Sequence, residues 1–268
     1  MQKRIHFLSG LPRTGSTLLA SILNQNPHVY ASPTSPLYPL MVGTNATLNA
    51  LAVQHTFDQE SVGDRIYPHL AAALYPANRN RPVIFDKHRG WPRAMESIRR
   101  FVDSDPKIIA TVRPIAEILT SYITLADRDP NNFIDRELKA AGIPITNESR
   151  AMHLWTHHLA NDDGPWTCLK EGLLSHPESI LLVDYDRLCY SPREVLRDIY
   201  SFVGLDVFQH DFAAIEDSEE TNDAAWGMVG LHRIRPRLGK VSPDPLTVLP
   251  QAAIDWFSKF DISGVHCG

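Results

Sequence analysis

The segment between residues 4 and 25 constrains the fold more than any other part of the sequence. Residues 4–9, RIHFLS, form an apolar run of strand length, and the glycine-containing turn GLPRTGST follows directly. From about Gly15 to Gln25 the apolar residues recur at helical spacing. A strand, a glycine-rich turn and a helix start leave backbone N–H groups free to bind an anion. The segment therefore predicts an α/β fold with a phosphate site after its first strand.

Further apolar runs alternate with helical patterns along the chain, at residues 82–86, 107–112 and 179–185. This alternation predicts an α/β fold, with a mostly parallel sheet flanked by helices on both faces. No second hydrophobic pattern requires another unit, so we expect one domain over residues 1–268. Ligands of such sheets bind at the carboxyl ends of the strands, where four cationic or titratable residues fall: Arg13, Lys87, His88 and Arg113.

Two smaller signals concern the segment after the last predicted strand. The residues S-P-R-E at 191–194 predict a capping box at the start of a helix, and Gly204 predicts its end.

Charge and cysteine content limit the partners that we expect. The 26 basic and 31 acidic residues give a net charge of −5, so the surface as a whole does not attract nucleic acid or anionic membrane. Three cysteines without C-x-x-C spacing favour a reducing compartment. No secretion signal or membrane-spanning run is recognisable. These features predict a cytoplasmic protein, with its oligomeric state left open.

The turn itself departs from the P-loop of ATP-binding proteins. Gly10, Gly15 and Thr17 fit the spacing G-x-x-x-x-G-K-[ST], but Ser16 stands in the lysine position and Arg13 carries the charge. That lysine normally reaches the β- and γ-phosphates of a nucleoside triphosphate. Taken alone, the turn is compatible with a lost ATP site, a site for a different phosphate or a plain strand-to-helix turn.

The stretch GLPRTGSTLL resembles the 5′-phosphosulfate loop of the sulfotransferases that use 3′-phosphoadenosine 5′-phosphosulfate (PAPS). Its P-R-[ST]-G-[ST]-T form is that of many bacterial and protein-tyrosine sulfotransferases. The resemblance implies a P-loop-like architecture, PAPS as the donor and no required metal. It also implies that the lysine is dispensable, because PAPS has no γ-phosphate. The loop residues that it assigns to the donor are Pro12, Arg13, Thr14, Gly15, Ser16 and Thr17.

A second, independent motif is TVRPIAEILTSY, with Arg113 and Ser121 eight residues apart. In the same family, an arginine and a serine at this spacing bind the 3′-phosphate of the donor. Ser121 lies seven residues beyond Pro114, about two helical turns, and therefore on the face of the helix start. A guanidinium fork and a hydroxyl suit a phosphate monoester.

Other matches to the family are looser. The segment LLVDYDRL is similar to one whose tyrosine contacts the nucleotide, and Tyr185 is the corresponding residue. The basic stretch 232–240 resembles the segment that closes over the 3′-phosphate, which implies roles for Arg235 and Lys240.

The stretch VIFDKHRGW supplies candidates for the chemistry. The resemblance assigns Lys87 to the transferring sulfuryl group, His88 to the general base and Arg13 to the leaving group. Tyrosine sulfotransferases instead use a glutamate soon after the first helix, whereas this chain has ASPTSP there and no carboxylate until Asp58. The predicted reaction is therefore sulfuryl transfer from PAPS to a hydroxyl of a small molecule, lipid or sugar.

Two other functions stay open at this stage. One is a P-loop kinase with a degenerate Walker A motif and Asp86 as a magnesium ligand; the other is a non-catalytic nucleotide-binding protein. His153 and His157 have the i, i+4 spacing of metal ligands, but no carboxylate is clearly placed with them, so we expect no metal site. Six aromatic residues are available to line an acceptor pocket: Tyr30, Tyr38, Phe57, Trp91, Phe133 and Trp155.

Overall fold

The computed structural model describes residues 4–50, 59–75, 81–216, 223, 228, 230–231 and 233–262. Its sheet has five parallel strands in the order β2-β3-β1-β4-β5. Their bounds are β1 Arg4–Gly10, β2 Val29–Ala31, β3 Val83–Lys87, β4 Ile108–Val112 and β5 Ile180–Asp184. The prediction of a parallel α/β sheet is confirmed, and only the short edge strand β2 was not predicted.

Helices connect these strands. They are α1 Ser16–Leu23, α2 Leu37–Leu48, α3 Gln59–Leu74, α4 Met95–Phe101, α5 Ile115–Ala126, α6 Phe133–Ala140, α7 Asn147–Leu154, α8 Pro165–Ser175, α9 Tyr185–Tyr190, α10 Pro192–Phe202 and α11 Gln251–Phe257. A π-helical turn, Trp155–Leu159, continues α7. Within the described residues, no helix is long and apolar enough to cross a membrane.

The central strand β1 separates two hydrophobic cores. Phe7 belongs to the core on one face of the sheet, together with Ile84 and Ile108. Its neighbour Leu8 belongs to the other core, together with Phe85 and Ile109. Successive side chains of a strand point to opposite faces, so β1 is covered on both sides, as expected for a parallel sheet with helices on both faces.

The register of the sheet aligns the carboxyl ends of the strands. Leu8 pairs with Lys87 on β3, Gly10 with Thr111 on β4, and Val112 with Asp184 on β5. The residues that follow β1, β3, β4 and β5 therefore meet at one edge of the sheet.

The start of α10 differs from the prediction. Ser191 is the N-cap, but its side chain makes no capping hydrogen bond, so the predicted capping box is wrong. Pro192 occupies the first helical position, where its fixed φ angle favours the helix. The predicted end is confirmed, because Gly204 follows the helix with a φ of 66°.

His6 on β1 is a buried titratable group away from the sheet edge where these strand ends meet. Its side chain is 2% exposed, and neither ring nitrogen has a hydrogen-bond partner among the described residues. Burial, followed by the charge of Arg4, lowers the pKa of His6 from 6.5 to about 4. The unfolded chain therefore binds more protons than the folded chain between these values, and stability falls as pH drops through that window.

We expect His6→Leu to make the protein more stable to acid. The substitution removes two unsatisfied buried polar atoms, which should raise the free energy of unfolding by about 1–2 kcal/mol at neutral pH. Acidification through the pKa window of His6 lowers the free energy of unfolding of the wild type by at most about 3 kcal/mol, and the variant should lack this decrease. Urea unfolding at pH values between 6.5 and 4 measures both effects. An unchanged pH dependence would contradict this account of His6.

Candidate active site

The turn after β1 has the geometry of an anion-binding loop. Gly10 has a φ of 118°, and a Cβ atom there would lie 2.2 Å from the carbonyl oxygen of Thr111. Gly15 has a φ of 82° and Arg13 one of 62°, so the loop turns through left-handed conformations on its way into α1. The N–H groups in the first turn of α1 have no acceptor within the helix and are free for an anion.

Two of the predicted loop residues hold the loop in shape. The Thr14 hydroxyl is fully buried, donates to the carbonyl of Leu11 and lies 2.6 Å from the Thr111 hydroxyl. Pro12 is buried and has no N–H group. The Ser16 and Thr17 side chains are part-exposed and remain available to a ligand.

Arg113 lies beneath this loop with a side chain that is 3% exposed. Its Nε donates to Glu117 at 2.8 Å, and its Nη1 donates to the carbonyl of Arg13 at 3.2 Å. The guanidinium lies over the Tyr185 ring, 4.7 Å from the centroid. Its Nη2 is buried and has no hydrogen-bond partner within the described part of the chain. A buried, unsatisfied guanidinium nitrogen is costly unless a ligand accepts from it.

Arg13 brings the two predicted phosphate motifs together. Its Nε donates to the Ser121 hydroxyl at 3.1 Å, and its guanidinium also donates to the carbonyl of Leu231. Burial lowers the pKa of Arg13, and the positive charge of Arg113 lowers it further. A bound anion would offset the positive charge that Arg113 adds to the surroundings of Arg13. The guanidinium of Arg13 thus links the loop to Ser121 on α5.

Glu117 is a member of this cluster that sequence reasoning missed. It accepts from Arg113, from Lys240 Nζ at 3.3 Å and from the Ser242 hydroxyl at 3.2 Å. Burial opposes its ionisation, but the hydrogen bond and charge of Arg113 outweigh this and lower the pKa of Glu117. Its position four residues after Arg113, on the same face of a helix, was the available signal.

The late basic segment contains two residues that the sequence analysis assigned to the site, Lys240 and Arg235. Lys240 reaches the cluster, where it pairs with Glu117 and, at 2.5 Å, with Asp186. Arg235 is exposed, and its role at the 3′-phosphate stays a prediction. Tyr185 lies against the loop, since a Cβ atom at Gly15 would come within 2.8 Å of its ring.

Lys87, at the end of β3, supplies a cation to the start of α1. Its Nζ donates to the Thr17 hydroxyl at 2.7 Å. Burial, with a smaller contribution from Arg89, lowers the pKa of Lys87 to about 7. The ammonium that a Walker A motif carries in the loop itself is here provided by the neighbouring strand.

His88 follows Lys87 and stacks on Tyr38 of α2, with ring centroids 4.3 Å apart. The Gly90 N–H donates to its Nδ1 at 3.0 Å, so the neutral ring carries its proton on Nε2 in this geometry. Burial, and then the charge of Arg89, lowers the pKa of His88 to about 4. The ring is thus neutral at pH 7, and it must release Gly90 before Nε2 can accept a proton.

Asp86 has a structural role rather than a magnesium-binding one. It is completely buried and accepts hydrogen bonds from Ser35, Tyr75 and the indole of Trp91. Burial raises the pKa of Asp86. Because its oxygens are already engaged, the kinase alternative lacks the magnesium ligand that it requires.

The six aromatic residues considered for the acceptor pocket have different surroundings. Tyr38 stacks on a predicted catalytic residue, His88. Trp91 is buried beside it, with its ring edge-on to Tyr38 and its backbone N–H donating to the carbonyl of His88. The others that are described pack elsewhere: Tyr30 against Tyr75, Phe133 against His158, and Trp155 against Trp166. Phe57, like Asp58, lies outside the described residues.

Comparisons with known proteins found a matching family, a related sequence and similar folds. The profile of the Sulfotransferase family matches residues 6–210. A putative protein-tyrosine sulfotransferase of Caenorhabditis briggsae is 21% identical over 230 residues, which are 82% of this chain and 74% of that protein.

Two solved structures share the fold. Mouse sulfotransferase SULT7A1, complexed with PAP, superposes with a TM-score of 0.54 at 15% identity, over 96% of this chain and 82% of that one. The sulfotransferase domain of the Synechococcus PCC 7002 olefin synthase gives a TM-score of 0.51 at 17% identity, over 97% and 95% of the two chains.

Proposed function

The chain belongs to the sulfotransferase family, and from this premise we propose that it transfers a sulfuryl group from PAPS to a hydroxyl of a small-molecule, lipid or sugar acceptor. We further propose that residues 1–268 act as one sulfotransferase domain. One observation supports PAPS as the donor. The Nη2 atom of Arg113 is buried beneath the glycine loop and has no hydrogen-bond partner among the described residues.

The residues present fit a nucleotide with phosphates at its 3′ and 5′ positions. The free amides of the loop and the hydroxyls of Ser16 and Thr17 suit the 5′-phosphate. Arg113 and Ser121 suit the 3′-phosphate, since a guanidinium fork and a hydroxyl match a monoester. When bound, PAPS supplies the activated sulfuryl group.

In the proposed reaction, the His88 ring first releases the Gly90 N–H and carries its proton on Nδ1. Its Nε2 then accepts the hydroxyl proton of the acceptor as the hydroxyl oxygen bonds to sulfur. Lys87 neutralises charge on the transferring group from its position beside Thr17. The bond from sulfur to the bridging phosphate oxygen breaks, and its electron pair stays with the 5′-phosphate. Arg13 stabilises that leaving phosphate after its guanidinium moves away from Ser121.

The segment ASPTSP, residues 31–36, favours a small-molecule hydroxyl over a protein tyrosine as the acceptor, because it contains no carboxylate. The relative named as a putative tyrosine sulfotransferase is distant, at 21% identity. Within the segment, the Ser32 hydroxyl accepts from the Lys87 N–H and the Ser35 hydroxyl donates to Asp86. These two hydroxyls therefore support β3, and neither they nor any other side chain of residues 31–36 offers a carboxylate base.

We expect Arg113→Lys to weaken binding of 3′-phosphoadenosine 5′-phosphate by about tenfold or more, about 1.4 kcal/mol. The lysine keeps a charge beside Glu117 but loses the guanidinium fork. Adenosine 5′-phosphate, which lacks the 3′-phosphate, should bind the variant about as well as it binds the wild type. Arg128→Lys is the matched control, because Arg128 is exposed, follows the carboxyl end of α5 and lies outside the predicted site, so it should affect neither nucleotide. Calorimetry on the two variants tests the assignment, and an equal loss for both nucleotides would contradict it.

The pH dependence of kcat/KM for PAPS should report Lys87. Lys87 must be protonated to neutralise the transferring group, so the rate should fall above about pH 7. Lys87→Arg, which stays charged, should retain measurable activity without this alkaline fall. Rates that stay constant from pH 6 to 9, or the same fall in the variant, would remove Lys87 from this role.

If His88 is the general base, its removal should lower the turnover rate but should not weaken binding of the donor nucleotide. His88→Ala should lower kcat by about 10²–10⁴ while the affinity for 3′-phosphoadenosine 5′-phosphate stays the same. Added imidazole should restore part of the rate, which a purely structural histidine would not allow. Turnover is measured with sulfur-35-labelled PAPS and the best acceptor from a screen of alcohols, sugars and alkyl glycosides. Full activity in the variant would exclude His88 as the base.

A further inference from the structure

Outside the catalytic edge, two histidines and a glutamate converge on one point of the surface. Glu137 lies on α6, His153 on α7 and His158 in the π-helical turn. One carboxylate oxygen of Glu137 lies 2.7 Å from Nε2 of His153 and 2.7 Å from Nε2 of His158. The three ligand atoms all lie within 4.8 Å of one another. We infer that these residues form a binding site for a divalent transition-metal ion of the zinc class.

The π-helical turn brings the two histidines together. In a regular α-helix, residues five apart point about 140° away from each other. Here the Ala160 N–H donates to the carbonyl of Trp155, five residues earlier, at 2.8 Å. This wider turn carries His158 back over His153, so that their ring centroids are 5.6 Å apart. Isolated π turns of this kind are frequent at functional sites.

The donor set and its spacing match a zinc centre. Two imidazoles and one carboxylate are an established ligand set for Zn²⁺, with the remaining coordination position left to water. Metal–ligand bonds of about 2.0–2.2 Å place neighbouring tetrahedral ligands roughly 3.3 Å apart. The 2.7 Å contacts between Glu137 and the histidines need to open by less than 1 Å to reach this spacing.

A buried ion pair holds the helices that carry the ligands. Arg150 of α7 donates from Nε and Nη2 to the two carboxylate oxygens of Asp135 on α6, both at 2.7 Å. Asp135 is 5% exposed and Arg150 is 9% exposed. This bidentate contact lies two residues before Glu137 and three before His153, so it fixes the backbone on both sides of the site. Rigid support of this kind reduces the reorganisation that metal binding requires.

His157 supplies a matched control within the same turn. Its ring lies 4.6 Å from that of His153, but among the described residues it has no hydrogen bond or ion pair with Glu137 and is not one of the three converging ligands. The i, i+4 pair suggested by the sequence is therefore not the ligand pair that the structure brings together, and the site departs from the expectation of no metal.

The test uses the untagged, full-length protein after chelator treatment and desalting. Calorimetric titration with Zn²⁺ should show one equivalent bound, and Co²⁺ should give visible absorption bands of a nitrogen–oxygen site. His158→Ala and Glu137→Gln should each weaken Zn²⁺ binding by about tenfold or more, while His157→Ala changes it by less than about twofold. Zn²⁺ should also raise the melting temperature of the wild type, and should raise that of Glu137→Gln by less at the same concentration.

Other outcomes would overturn the proposal. Absence of stoichiometric Zn²⁺ binding would leave a hydrogen-bonded surface trio, and an equal loss in His157→Ala would place the ion elsewhere. Binding of 3′-phosphoadenosine 5′-phosphate by the chelated protein should be unchanged, because the ligands are separate from the donor residues. Failure of the metal proposal and failure of the proposed activity are therefore distinguishable.

Discussion

The close contact between Gly10 and Thr111 is the constraint on which the candidate site depends. It fixes the loop that leaves β1 against the end of β4, where the Leu11 N–H donates to the Thr111 carbonyl at 3.0 Å. Arg113 follows Thr111 by two residues and therefore lies under the loop. Its guanidinium donates a hydrogen bond to the carbonyl of Arg13. A side chain at position 10 would separate the two strand ends, and with them the two groups of phosphate-binding residues.

The same sheet order places a cation beside the loop, although the loop has no lysine of its own. In this fold, β3 lies beside β1 and ends with Lys87, whose ammonium contacts the Thr17 hydroxyl. The position that Ser16 leaves uncharged is thus served from the adjacent strand. A cation that is buried and desolvated there gains a favourable environment when an anion binds, which links the sheet register to the proposed chemistry.

Local sequence patterns predicted those features of the fold that depend on one segment alone. Four of the five strands and the glycine-containing turn into α1 belong to this class. The roles of the loop, Arg113 and Ser121 in binding phosphates stay predictions. Side-chain partnerships across segments could not be predicted: Glu117 with Lys240, Asp86 with Tyr75, and His158 with Glu137 are 123, 11 and 21 residues apart. The π turn could not be predicted from the sequence either, because a period of 3.6 residues pairs His153 with His157 rather than with His158.

The central claim is that the loop and Arg113 recognise a nucleotide with a 3′-phosphate. Calorimetric titration of the wild-type protein with 3′-phosphoadenosine 5′-phosphate, alongside ADP with magnesium, tests it most directly. The 3′-phosphorylated nucleotide should bind about tenfold or more tightly than ADP with magnesium, a difference of about 1.4 kcal/mol. A preference for ADP with magnesium, or no binding of either nucleotide, would contradict it.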